Sequence, residues 1–270
     1  MYYLITEKFK SQEQKLVALI REAVEVHTIY ILGSNLATRR TETVFMLEAP
    51  SCQSANYYYL LVLINDDGDV NAAQDKIENR AAHFVPVTAM VMPVLTFTCW
   101  LAKGHPFAHK VYREAVLLYR KDEELTAPEI LPKDDMKNSD VICTDTINKV
   151  TEFMAGADLF ILRNHTKLAA FMLHQAAEQC LHGLFEISTG MYLNTHSIDK
   201  LLRYCSMINW RLPEIFPRNN DKEENLFQLL QKAYAGGRYE KEYSITVKDL
   251  EVLRGRITEL KEILQEYAKR

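Results

Sequence analysis

No excess of positive charge runs through this sequence: 32 lysines and arginines face 36 acidic residues, for a net charge of −4. A generic nucleic-acid binder shows a basic surplus in its domain balance, so any contact with nucleic acid has to be local. Cysteine is sparse and scattered. Cys52, Cys99, Cys143, Cys180 and Cys205 form no CxxC pair and no Cys/His cluster at zinc-finger spacing, and they read as buried, reduced thiols. No metal or other cofactor is expected. A membrane helix is also missing. The most apolar stretch, Phe84 to Leu101, is interrupted by Pro86 and Pro93, and its β-branched content suits strands. The opening MYYLITEKFK lacks the basic start and apolar run of a signal peptide. These absences predict a cytoplasmic protein with no membrane partner. There is also no internal repeat or low-complexity tract.

What is present is material for two cores. The chain has 270 residues, 48% of them apolar, where a domain takes roughly 100–200 residues. In the first half, Gln12–Val26 sets Leu16, Leu19, Ile20, Ala23 and Val24 on one helical face. His27–Leu32 reads as a short strand ending at Gly33-Ser34, followed by a polar loop. Tyr57–Ile64 is a second strand, stopped by Asn65-Asp-Asp-Gly68. Ala72–Ala82 suits a helix, Phe84–Trp100 one long or two short strands broken near Met92-Pro93, and Ala115–Tyr119 a last strand. The expected fold class is α+β in two domains: a small mixed-sheet domain over 1–120, a charged linker over 121–139, and an all-α up-and-down bundle over 140–270. Helices are expected at Asp140–Arg163, Lys167–Ser188, Ile198–Ile208, Lys222–Gly236 and Val247–Ala268. In the last, Leu250, Leu253, Ile257, Leu260, Leu264 and Tyr267 form a core-facing stripe, with Thr246 as its cap and Asp249 in its first turn.

His174, Glu178 and His182 are spaced by four and share one helix face. Too few ligands accompany them for a metal site. They read as a hydrogen-bonded seam in a bundle or as a ligand-facing groove. Arg238, beside Gly236-Gly237 and between Tyr234 and Tyr239, suits an anion contact, or else a salt bridge to Glu178 or another carboxylate that stitches helices together.

Three stretches carry a resemblance. Phe171-Met-Leu-His-Gln-Ala-Ala-Glu-Gln-Cys-Leu181, Thr195-His196-Ser-Ile-Asp-Lys-Leu-Leu202 and Tyr234-Ala-Gly-Gly-Arg238-Tyr239 occur in an order and spacing that resemble the HEPN (higher eukaryotes and prokaryotes nucleotide-binding) family. The resemblance implies a helical bundle that forms a homodimer, with a nucleotide or RNA ligand in a groove lined by His174, Glu178, His196, Arg238 and Tyr239. Many HEPN members are ribonucleases with an Arg followed by His after four to six residues. In this chain that spacing occurs only at Arg21 and His27, outside the resemblance; Arg163 is too close to His165 and too far from His174. No catalytic residue is assigned.

Gly33-Ser34 after a strand, followed by the strand at Tyr57, resembles a nucleotidyltransferase of the DNA polymerase β type. That family implies an Asp-x-Asp pair whose carboxylates hold Mg²⁺. Tyr57 and Tyr59 stand at those positions, and Val85–Trp100 contains no Asp or Glu. A phenol stays protonated at neutral pH, so Gly33, Ser34, Tyr57 and Tyr59 mark a degenerate remnant. Asp66, Asp67 and Asp69 follow the strand in a solvated turn. The tyrosines suit strand packing or an aromatic platform for bases. Arg39-Arg40 suits an exposed loop or a phosphate contact. The functional expectation is a non-catalytic nucleotide- or RNA-binding regulatory protein. The alternatives are a HEPN ribonuclease with atypical catalytic residues, or a structural dimerising module of a toxin–antitoxin or defence assembly.

Overall fold

A strand buried on both faces reads as a continuous apolar run, and Tyr58–Ile64 is such a run. Every residue in it is buried, with Leu60, Leu61, Val62 and Leu63 fully enclosed. In the computed structural model, which describes residues 7–40, 51–65, 68–121, 136–237 and 242–267, this segment lies in an inner strand of a four-stranded sheet. The chain divides into two compact units, Met1–Lys133 and Asp134–Arg270.

The first unit runs α1 (Glu7–Ala23), β1 (Val26–Arg40), β2 (Ser51–Ile64), α2 (Val70–Ala82), β3 (Val87–Pro93), α3 (Val94–Ala102), α4 (Pro106–Glu114) and β4 (Val116–Arg120). Strand order is β3-β2-β1-β4. The β1–β2 and β1–β4 pairs are antiparallel and β2–β3 is parallel, so the sheet is mixed. One face packs Ile29, Ile31, Tyr58, Leu60 and Val62 with Leu16 and Ile20 of α1 and Ile77 of α2. On α3, Phe97 is fully buried with its ring 6.0 Å from that of Tyr30. At the β3 edge, the Ala89 amide donates to Oε1 of Glu78 at 3.1 Å, so a side chain from α2 occupies a strand-edge donor that would otherwise invite another strand.

Three expectations need correction here. Phe84–Trp100 supplies only one strand: Val94 opens α3, with Pro93 in extended backbone at its N-cap. Burial against the sheet overrides the strand preference of its Val and Thr residues. Cys99 on this helix is exposed, not buried, whereas Cys143, Cys180 and Cys205 are buried free thiols; the side chain of Cys52 lies outside the described residues. Gly33-Ser34 does not end a strand and no long loop follows directly. β1 continues to Arg40, pairs with β2 from Ser51, and absorbs Gly33 at a register shift, a common use of glycine within a strand. Arg39 and Arg40 are therefore strand residues, and their side chains lie outside the described residues. Helix α4, with Pro106 in its first turn, has no counterpart in the sequence reading.

The second unit is helical: α5 (Met136–Leu162), α6 (Thr166–Thr189), α7 (Ile198–Ser206), α8 (Leu212–Ile215), α9 (Asp221–Gly236) and α10 (Val247–Tyr267). The first of these starts inside the stretch expected to be linker, and the single turn α8 is additional. Helix α6 is central, with thirteen buried residues distributed around it, as an enclosed helix requires. Local chemistry sets the helix ends. Ser197 caps α7 and Asn220 caps α9 through side-chain oxygens. Thr246 Oγ1 accepts from the Asp249 amide at 3.1 Å while the Asp249 carboxylate accepts from the Thr246 amide at 3.4 Å, a reciprocal cap. Gly190 ends α6 with φ 70°, a conformation glycine adopts without steric cost.

Candidate functional site

Because α6 is enclosed, its polar residues must find partners inside the protein. His174 is fully buried, and its Nδ1 donates to the carbonyl of Leu230 on α9 at 2.9 Å. One turn later, the Glu178 side chain is 4% exposed. Its Oε1 accepts from Nδ1 of His196 at 3.0 Å, and its Oε2 accepts from Nε2 of Gln175 at 3.2 Å. Oε2 also faces Nε2 of His174 at 3.4 Å. Burial pushes the Glu178 carboxyl up, but the neighbouring His174 and the hydrogen-bonded His196 outweigh it and hold the group below its ordinary value.

His182 serves a different purpose. Its Nε2 donates to the Thr195 carbonyl at 3.0 Å, and its ring stacks on Tyr192 at 4.7 Å and 8°. Two contacts thus tie the α6–α7 connection down just before His196. Burial lowers the affinity of His182 for a second proton; the Thr195 hydrogen bond and Glu178 oppose this and His196 reinforces it, with a net downward shift.

His196 is half in the protein and half out. Its ring stacks on Tyr234 of α9 at 5.0 Å and 11°, and Tyr234 also lies 5.5 Å from the ring of His174. A cavity of about 280 Å³ opens beside this stack, lined by His196, Ser197, Gln231, Lys232, Tyr234 and Ala235. Gln231 bridges α9 to α7: its Oε1 accepts from the Asp199 amide at 3.0 Å and its Nε2 donates to Ser197 Oγ at 3.4 Å.

The structure therefore brings together His174, Glu178 and His196. Arg238 and Tyr239, and with them the suggested salt bridge to Glu178, lie outside the described residues. Gln231, Lys232 and Tyr234 are site residues that sequence reasoning did not assign; their recurrence on α9 gave no motif, although Tyr234 was visible as a neighbour of Arg238. Gly236 and Gly237 have a packing explanation. A Cβ on Gly236 would stand 2.6 Å from the Tyr243 ring, and one on Gly237 2.8 Å from the Lys167 carbonyl. Among the described residues no group of three or more His, Cys, Asp or Glu side chains is placed to hold a metal ion.

In the first unit, Gly33 pairs with Tyr59, Ser34 with Tyr58 and Asn35 with Tyr57. Gly33 and Ser34 are thus cross-strand neighbours of Tyr59 and Tyr58. Tyr57 and Tyr59 share a face with ring centroids 5.2 Å apart, and the Tyr57 hydroxyl lies 2.7 Å from Thr88 Oγ1. Tyr59 is buried, and Tyr58 points into the core on the opposite face. Packing therefore accounts for Tyr58 and Tyr59. Asp69 is not merely solvated: it caps α2 by accepting from the amides of Asn71 and Ala72. Asp66 and Asp67 lie outside the described residues.

Residues 144–267 match the HEPN domain model. The helical unit is a HEPN domain. Its Glu178 cluster and the cavity beside His196 lie wholly within the matched residues. No curated protein matches the chain. Among solved structures, the chain is similar to a nucleotidyltransferase-like protein from Exiguobacterium sibiricum 255-15, at 10% identity and a TM-score of 0.30, over 94% of this chain and 74% of that one. Among the described residues no helix is long and apolar enough to cross a membrane.

Proposed function

We propose that this protein is a non-catalytic nucleotide- or RNA-binding regulator, built from an inactive nucleotidyltransferase-like unit and a ligand-binding HEPN domain. The observation that carries the reading is the cavity beside the His196–Tyr234 stack, which sets aromatic faces next to Lys232 and Gln231. Aromatic surfaces with a few convergent polar groups are what small-molecule sites are made of. In the first unit, Tyr57 and Tyr59 supply phenols where metal-dependent transfer requires carboxylates. Arg238 is retained as an anion contact on sequence grounds. The test is thermal stabilisation of the purified chain by ATP, GTP and short RNA. Stabilisation by at least one, weakened by Tyr234→Ala and Arg238→Ala, supports the reading; no shift with any of them overturns it.

A second reading, RNA cleavage with atypical residues, is favoured by the 3.0 Å contact between buried Glu178 and the half-exposed His196. A carboxylate that orients an imidazole is the arrangement of a general base. Cleavage of total RNA in EDTA, abolished by His196→Ala, would place this reading first.

The HEPN domain is also proposed to pair with a second copy. Leu159 and Leu162 at the end of α5 and Leu168 at the start of α6 are exposed, and exposed apolar surface favours association. Light scattering should give twice the monomer mass.

A further inference from the structure

Hydrogen-bond partners assign the protons of the Glu178 cluster. The Leu230 carbonyl only accepts, so Nδ1 of His174 carries a proton. The other nitrogen of His174 has no hydrogen bond among the described residues and faces Glu178 Oε2 at 3.4 Å. That nitrogen therefore sits against the Glu178 carboxylate without bonding it, while Oε2 accepts from Nε2 of Gln175. Glu178 Oε1 takes the Nδ1 proton of His196. What the cluster leaves over is Nε2 of His196, on a side chain that is 59% exposed and lines the cavity. It accepts a hydrogen bond when the ring is neutral, and donates one with a full charge when the ring takes a second proton.

Lys232 lines the same cavity, is exposed, and enters no ion pair among the described residues. The first amides of α7 are already satisfied by Gln231 and Ser197, so a helix terminus is not the anion contact. Asp199, the nearest acidic residue on α7, is held by Arg203 and Arg218. Facing His196 are Glu178 and His182 from α6, and Tyr234 and Lys232 from α9; Asp199 and Lys200 follow it in the first turn of α7. A volume of about 280 Å³ is just below the roughly 300–1,000 Å³ typical of small-ligand sites. It is large enough for part of one nucleotide.

We propose, resting on the nucleotide-binding reading above, that the cavity takes the phosphate of a mononucleotide between Lys232 Nζ and Nε2–H of a doubly protonated His196. Glu178 acts as the positioning residue that holds the imidazole and balances its charge. Binding is therefore coupled to proton uptake and strengthens as pH falls.

The experiment is calorimetric titration of the full chain with AMP, adenosine and sulfate at pH 6.5 and 8.5. Sulfate is included because it does not itself titrate in this range. AMP and sulfate are expected to bind about tenfold more tightly at pH 6.5, as a charge-assisted contact implies, and adenosine weakly at both. Lys232→Ala should lower AMP affinity at both pH values. His196→Asn should remove the pH dependence of sulfate binding and leave the Lys232 contribution. AMP binding that ignores pH and both substitutions overturns the phosphate placement while the nucleotide-binding reading stands; absence of binding by AMP, ATP, GTP and RNA alike overturns both. A 5′-phosphorylated short RNA that binds more than tenfold tighter than AMP would overturn the assignment to a free nucleotide.

Discussion

Oε1 of Glu178 and Nδ1 of His196 meet at 3.0 Å, eighteen residues apart in sequence, with the carboxylate enclosed and the imidazole half in solvent. The pair joins the most buried acidic group of α6 to a residue on the wall of a cavity. Its energetics follow from the enclosure: a buried carboxylate is tolerated because two imidazoles and an amide surround it.

Removing that carboxylate should be costly. Glu178→Ala would leave Nδ1 of His196 and Nε2 of Gln175 without their acceptor, and a destabilisation of about 3–5 kcal/mol is expected. Glu178→Gln keeps the shape and part of the hydrogen bonding and should cost less. Urea denaturation of both variants checks the ordering, and equal losses would contradict it.

The HEPN domain should lose stability in acid in two stages. His182 has a folded affinity for protons below its unfolded one, so its contribution is present above about pH 6.5 and fades as pH falls. Its buried Nδ1 has no hydrogen-bond partner among the described residues, and a proton placed there is unsatisfied. Glu178 is likewise held below its ordinary value, so its contribution persists above about pH 4.3 and fades below. Melting temperature should fall from pH 7.5 to 5.5, by less in His182→Gln than in the parent chain.

Gly236→Ala should destabilise by about 1–3 kcal/mol through overpacking, since the new methyl would sit 2.6 Å from the buried Tyr243 ring. The backbone itself is no obstacle there, because Gly236 closes a regular helix. Pairing Gly236→Ala with Tyr243→Leu should recover part of the loss in a double-mutant cycle.

In the first unit, Tyr57→Phe should cost about 1 kcal/mol, the worth of the Thr88 hydrogen bond. No nucleotide should be transferred to protein or RNA in the presence of Mg²⁺ and labelled ATP or GTP. Transfer that requires Mg²⁺ would overturn the proposal that Tyr57 and Tyr59 form a degenerate pair.

Much of this architecture was legible in the residue order. Apolar spacing located α6, α7, α9 and α10 to within about two residues, because each buries one broad stripe or, for α6, nearly its whole circumference. The Thr246–Asp249 cap and the enclosed strand Tyr57–Ile64 were equally readable, since both depend on neighbours in the chain. Val94–Ala102 was not: β-branched residues point to a strand, and only the need to cover the second face of the sheet made them helical. The extension of β1 past Gly33 was hidden for a similar reason. Glycine and polar residues resemble a loop until a partner strand supplies hydrogen bonds.

By itself, then, the order of amino acids determined the two-part organisation, the helices of the HEPN domain and the presence of His174, Glu178 and His196 as notable polar residues. Those properties depend on periodicity and local capping. Only the tertiary structure decided that Glu178 would accept from His196 and not use His182, that Leu230 would take the His174 proton, and that Tyr234, Gln231 and Lys232 would share a cavity with them. A side chain's partner is set by which helices pack together, and that is settled by burial over the whole core.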